Sequence, residues 1–241
     1  VADSGDEPAL IQRATGVPVW VAPQRVDAAL ALLAAHPDVN LLLCDDGLQH
    51  LALGRDVAIA VFDDRGSGND WLLPAGLLRE PWPPRAGHRF RPDLVLHPRR
   101  DDVPLAPPAA TGLPMFHAVR RLAAHAFGPQ GQRIALEALR GQALTAVAGI
   151  ARPEVFFDML RARGLTLSHT VALPDHADTA TYASLPRLNG PLVCTEKDAV
   201  KLFAAWPADH GAAWAVPLEL SPEPAFWKAL DGLLSPFQTK G

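Results

Sequence analysis

The chain is predicted to fold as an α/β protein, a mostly parallel sheet flanked by helices with a smaller α/β lobe towards its C-terminus. Three observations lead there. Short continuous apolar runs at residues 41–44, 57–62 and 192–194 are bounded by polar residues, as strands buried on both faces are. Stretches with helical spacing of Ala and Leu separate such runs, the alternation expected of a parallel α/β sheet. Two of the runs end in paired acids, Asp45-Asp46 and Asp63-Asp64, at the carboxyl ends where open α/β sheets place their ligands.

Taken in order, residues 8–15 read as a short helix and residues 17–21 as a buried strand. Residues 25–36 carry dense Ala and Leu with Asp27 in the first turn, a helix, and the strand 41–44 follows. Residues 57–62 and 93–97 are the next strands, and alternation around Phe116, Ala118 and Val119 allows another within 115–126. Beyond Gly141 the rhythm restarts with a strand at 144–148 and a turn at Gly149-Ile150-Ala151. Pro153 suits the first position of a helix over 154–163, Gly164 stops it, and 165–173 reads as a strand. A helix over 179–185 and a strand at 192–194 come next. Thr195 with Asp198 resembles a capping box at the start of the following helix, and a strand at 214–218 and a helix at 224–234 complete the chain. A boundary near residue 141 divides residues 1–141 from 142–241.

With 49% hydrophobic and 20% charged residues in 241, the chain is globular material. Proline is frequent, at 24 residues, with clusters at 81–84 and 104–108 that mark connectors. A net charge of −4 argues against general nucleic-acid affinity. Locally, Arg79, Arg85, Arg89, Arg91, Arg99 and Arg100, with His88 and His97, form a basic segment. Such a segment suits phosphates or anionic headgroups, and equally a solvated linker. The two cysteines, Cys44 and Cys194, each end an apolar run and read as reduced, buried thiols of a cytosolic protein. No run reaches the roughly 18–20 apolar residues of a membrane span, so membrane contact is expected to be peripheral.

Four polar clusters carry the chemistry: Gly5-Asp6-Glu7-Pro8, Asp45-Asp46-Gly47-Leu48-Gln49-His50, Gly68-Asn69 with residues 73–81, and Asp175-His176. Each has a local explanation as a turn, a strand exit or a loop. An Asp-His pair can also form a base with its orienting partner, and paired acids after a strand can act on Mg²⁺ beside phosphates.

Together with residues 195–201, which read Thr-Glu-Lys-Asp-Ala-Val-Lys, these clusters resemble in order and approximate spacing the tetraacyldisaccharide 4′-kinases. That family phosphorylates the lipid A precursor, and the likeness runs from the first residues to about residue 218. It implies a P-loop-kinase-like (Rossmann-like) core lobe, here residues 1–141, which binds nucleotide and Mg²⁺. A C-terminal lobe, 142–241, carries the Asp-His motif. It implies transfer of the γ-phosphoryl group of ATP to the 4′-hydroxyl of the tetraacyldisaccharide 1-phosphate precursor, giving lipid IVA. The enzyme would be peripheral on the cytoplasmic face of the bacterial inner membrane. Asp6 and His176 match the proposed catalytic dyad, one from each lobe, and an Asp-paired His accepts a proton near neutral pH. Asp45 and Asp46 match the Walker B-like acids at Mg²⁺, Glu80 faces the metal–phosphate region, and Glu7 supports the metal or orients Asp6. Carboxylates suit Mg²⁺ as hard oxygen ligands. Gln49 and His50 line the nucleotide site. For residues 195–201 a helix start explains Thr195 and Asp198, so a structural role is favoured over a catalytic one.

The chain departs from the family in one respect. The Gly-rich phosphate loop ending in Gly-Lys-Thr precedes the Gly-Asp-Glu-Pro motif in the family, and here that motif begins at Gly5. Gly66-Ser67-Gly68-Asn69 lacks the Lys and Ser/Thr that contact phosphates and Mg²⁺. The expectation is a truncated member with little activity alone, its apolar surface and strand edges exposed by the missing strand. Two other readings remain open. One is a metal-dependent phosphoester hydrolase using Asp45, Asp46 and His50. The other is a non-catalytic remnant that binds an anionic lipid or a partner through residues 79–100.

Overall fold

Among the described residues two sheets organise the chain, one of four strands and one of six. A computed structural model describes residues 5–63, 65–100, 112–175, 177–185, 190–207 and 210–237, with the side chains of Asp6 and Arg100 outside the description. The chain forms two compact units, each built from two stretches: Val1–Val39 with Leu122–Glu219, and Asn40–Arg121 with Leu220–Gly241. The expected boundary near residue 141 falls inside the first of these.

The second unit is built on β1 (Ile59–Val61), β2 (Leu94–Arg100) and β3 (Met115–Leu122), paired in parallel, with β10 (Leu218–Pro222) beside β3. Leu94, Leu96 and Ala118 bury against Phe226 of α6 (Pro224–Leu234). That helix opens with Pro224, where a missing N–H costs nothing. Glu223 ties it to β3: its carboxylate accepts from His117 N at 2.8 Å, and its own N–H donates to the His117 carbonyl at 2.9 Å. His97 on β2 is 1% exposed and stacks on Phe62 at 4.9 Å. Burial, and then the neighbouring His117, lower its pKa, so the neutral ring is favoured.

The first unit carries α1 (Asp6–Thr15), α2 (Arg25–Ala35) and the six-stranded sheet. Its strands are β4 (His125–Phe127), β5 (Arg133–Ala135), β6 (Ala143–Ala148), β7 (Thr166–Ala172), β8 (Leu192–Thr195) and β9 (Ala213–Val216). They lie in the order β5-β4-β9-β8-β6-β7. The β7-β6-β8-β9 portion is parallel, and β4 and β5 add an antiparallel edge. The crossovers are α3 (Pro153–Ala162), α4 (Thr179–Ala183) and α5 (Glu196–Ala205). Pro153 starts α3 and Gly164, at φ 79°, follows its end. Leu144, Ala146 and Val193 pack with Phe157 and Leu160 of α3 in one core, and Val147, Leu192 and Cys194 with Leu202 of α5 in another. From β6 the chain moves to β7 on one side, then to β8 on the other. Strand order therefore reverses at the carboxyl ends of β6 and β8, the topological switch point where such sheets hold ligands.

Two expected strands do not form. Residues 17–21 and 41–44 belong to no strand, and Trp20, Val21, Leu41 and Leu43 are exposed, Leu43 by 89%. An apolar run becomes a strand only when neighbours take up its N–H and C=O groups, and among the described residues no strand lies beside either run. Helix α2 buries none of its residues. Cys44, expected to be buried, is exposed for the same reason, whereas Cys194 is buried, and both thiols are free. Burial, and then Asp198, push the Cys194 pKa well above the usual thiol value.

Candidate active site

In the first unit, the loops leaving β6, β7 and β8 meet around one buried carboxylate. Thr195 caps α5, its hydroxyl accepting from Asp198 N at 3.1 Å and donating to Asp198 Oδ2 at 2.6 Å. Asp198 Oδ1 accepts from Gly149 N at 2.8 Å and from the Tyr182 hydroxyl at 2.5 Å. Three donors thus satisfy a side chain only 1% exposed, as a buried charge requires. Gly149 has no room for a side chain: a Cβ there would lie 2.7 Å from Tyr182 Oη, 2.9 Å from Asp198 Oδ1 and 3.2 Å from the Pro174 carbonyl. The close approach brings the residue 174 loop against the end of β6.

That loop is pinned along its length. Leu173 N donates to Ala148 O at 2.9 Å, and Ala177 N to Pro174 O at 3.1 Å. Lys201 Nζ donates to Ala177 O at 2.9 Å, and Lys197 Nζ to Asp175 Oδ1 at 3.1 Å. The same Lys197 Nζ lies 3.5 Å from Glu7 Oε1, at the start of α1. Burial opposes the charge on Lys197, but the hydrogen bond and charge of Asp175, with Glu7, outweigh it and raise the ammonium above its usual pKa. At the preceding residue, burial raises the pKa of the Glu196 carboxyl, while the Arg13 charge pulls the other way.

Lys197 therefore joins the Gly-Asp-Glu-Pro and Asp-His motifs, which lie far apart in sequence. Asp6 opens α1 beside Glu7, with Gly5 at φ 84° before it, a left-handed backbone that favours glycine. The Asp6 side chain and all of His176 lie outside the described residues. Glu7 and Asp175, and with them the start of α1 and the loop expected in separate lobes, fall in one unit.

The second unit holds the other predicted residues. The 45–50 segment forms turns, with Asp46 at φ 49° and His50 N bonded to Gly47 O at 3.0 Å. Asp45 and Asp46 are exposed. Gln49 Nε2 donates to Glu80 Oε1 at 2.6 Å, bringing two predicted residues together, and His88 Nδ1 stands 3.6 Å from Glu80 Oε2. His50 Nδ1 and Glu80 Oε2 are buried without a hydrogen-bond partner among the described residues. Such orphaned atoms fit a site that takes a further polar ligand. No group of three or more His, Cys, Asp or Glu among the described residues converges as a metal cage. Mg²⁺ does not need such a cage, since it is held through one or two carboxylates plus phosphates and water. Asp45 and Asp46 fit that donor set.

The family model for tetraacyldisaccharide-1-P 4′-kinase (LpxK) matches residues 1–235. The chain belongs to this family. It is 59% identical over 239 residues to the tetraacyldisaccharide 4′-kinase of Polaromonas naphthalenivorans, covering 98% of this chain and 66% of that one. The Acidovorax sp. strain JS42 enzyme of the same name is 52% identical over 240 residues, covering 100% and 66%. The chain thus spans about two thirds of the length of these relatives. A crystal structure of LpxK from Aquifex aeolicus, in complex with ATP, superposes with a TM-score of 0.73 at 23% identity, over 97% of this chain and 69% of that one. That likeness shows that the chain shares the fold of the LpxK structure.

The sequence reading names residues 195–201 as a motif and Gly149 as a turn but assigns Lys197, Lys201 and Gly149 no place in the site, and it does not single out Tyr182. The repeated lysine, four residues apart in 195–201, was a signal in plain view: that spacing puts both on one helix face.

Proposed function

We propose that this protein transfers the γ-phosphoryl group of ATP to the 4′-hydroxyl of a tetraacyldisaccharide 1-phosphate, forming the lipid A precursor lipid IVA. Family membership supports the reaction, and the single structural observation that carries it is Lys197 between Glu7 and Asp175. In this reading the sugar oxygen attacks the γ-phosphorus, the bond to the ADP oxygen breaks, and the hydroxyl proton passes to His176. Asp6 orients and charge-balances that base. Asp45 and Asp46 would hold Mg²⁺, which neutralises charge on the β- and γ-phosphates when bound. Glu80, fixed by Gln49, faces the phosphates, His50 offers its unpartnered Nδ1 to the nucleotide, and Glu7 supports Asp6. The test is ATP-dependent phosphorylation of the acylated disaccharide by the protein as encoded by its gene. Asp6→Ala and His176→Ala are expected to lower kcat by about 10²–10⁴-fold. Full rate in either variant removes the dyad.

The acceptor is membrane-held in this reading, and ATP places the enzyme at the cytoplasmic face of the inner membrane. No helix among the described residues is long and apolar enough to cross a membrane. Peripheral contact is proposed through the 69–78 loop. Its backbone is closed by Leu73 N to Leu78 O at 2.8 Å and Leu78 N to Trp71 O at 3.2 Å, with Asn69 Nδ2 bonded to Ala75 O at 3.0 Å. Gly76 permits this packing, since a Cβ there would meet Trp71 O at 2.2 Å. The loop exposes Trp71 (64%), Leu72, Leu73 and Leu77, and Arg79, Arg85 and Arg89 are exposed beyond it. An indole with arginines suits an anionic interface. Salt-sensitive binding to phosphatidylglycerol vesicles should fall in Leu72→Ser/Leu73→Ser; undiminished binding excludes the loop.

A further inference from the structure

We infer that Lys197 and Lys201 are positioning residues, a two-point clamp by which α5 fixes the Asp175–Ala177 turn relative to the start of α1. The inference deepens the kinase reading and rests on it for the functional consequence, though not for the clamp itself.

The geometry is specific. Lys197 and Lys201 stand four residues apart on α5, so their side chains leave the same face one turn apart. One ammonium takes the Asp175 carboxylate at 3.1 Å and the other the Ala177 carbonyl at 2.9 Å. The two contacts bracket position 176 in the chain. Lys197 adds the Glu7 carboxylate at 3.5 Å, so the residue after Asp6 and the residue before His176 share one cation. The Lys197 side chain is only 20% exposed, and partial burial strengthens its charge interactions beyond those of a surface pair. The helix that carries both lysines is itself anchored by the Thr195–Asp198 cap and by Asp198 to Gly149 and Tyr182. A side chain held at its own base positions others with precision. Neither lysine needs to touch a reacting atom: each acts through the backbone and carboxylates on which the proposed dyad is mounted.

Misplacing a catalytic group by about 1 Å costs up to about 10²-fold in rate, so Lys197→Met and Lys201→Met should each lower kcat by about 10- to 10²-fold with KM for ATP little changed. Lys197→Arg, which keeps the charge, should recover most of the rate. Removing the Lys197 cation makes protonation of a nearby base easier, so the acid limb of the kcat–pH profile should move to higher pH in Lys197→Met. Amide exchange of residues 5–7, 175 and 177 should quicken in both Met variants and not in Lys197→Arg. That readout needs no turnover and still judges the clamp if a variant is inactive. An inactive wild type defeats the kinase reading and leaves the clamp to the exchange data. An active wild type with Met variants at full rate, an unmoved pH limb or unchanged exchange overturns the clamp.

Discussion

Two segments of this chain are close to identical in pattern and opposite in fate. Residues 41–44, Leu-Leu-Leu-Cys, run into Asp45-Asp46, and residues 192–194, Leu-Val-Cys, run into Thr195-Glu196. Leu192, Val193 and Cys194 are completely buried, whereas Leu43 is 89% exposed and Cys44 lies open. The difference is company. β8 has β6 on one side and β9 on the other, in register through Val193 with Ala146 and Trp214. Residues 41–44 have no strand beside them among the described residues. Apolarity states a demand for burial; it does not supply the neighbour that meets it.

The contrast can be broken at several points. The largest effect is expected from Leu192→Ala, which should cost about 2–5 kcal/mol in chemical denaturation, because it removes packed atoms from a filled core. Asp198→Ala should have an effect of comparable size, at about 1–3 kcal/mol for each donor left unsatisfied. Three donors lose their acceptor at once, and the same variant should loosen the 174–177 turn to amide exchange. A thiol reagent should modify Cys44 promptly and Cys194 only on unfolding; equal rates would mean that the two runs do not differ in burial.

A pH effect tests the second unit. The folded state favours neutral His97, so its pKa lies below the unfolded value of about 6.5. As pH falls from there towards the folded pKa, the unfolded chain takes up a proton that the folded chain refuses, and stability drops. Above pH about 6.5 this contribution is complete. His97→Phe should flatten that part of the denaturation–pH curve; an unchanged slope would assign it to other groups. The smallest effect is expected from Leu43→Ser, within about 0.5 kcal/mol, as for other exposed positions. A large loss there would show that the 41–44 run is covered after all.

Much of the architecture was legible in the residues. Pro153, Gly164, Thr195 and Pro224 mark helix ends where the structure has them, because caps and punctuators act within a few residues and need no tertiary partner. The run at 57–62 contains β1, and those at 93–97 and 144–148 overlap β2 and β6. The short β4 and β5 were not resolved as an antiparallel pair, since three-residue strands carry too little periodicity to be read. In the candidate site, the acids and Gln49 were visible as motifs, and Gln49 does meet Glu80. The 195–201 motif was visible too, but not the partners of its lysines: a carboxylate at 175, one at 7 and a carbonyl at 177 are assembled only by the sheet order.

From sequence alone came the family, the α/β class, the helix boundaries and the kinds of side chain available for chemistry, all consequences of local stereochemistry and motif spacing. The tertiary structure decided which apolar runs find strand partners. It also placed the Glu7 and Asp175 segments in one unit and set α5 over the turn between β7 and α4. Those outcomes depend on strand order, and strand order is settled by long-range packing of whole elements rather than by any single stretch of residues.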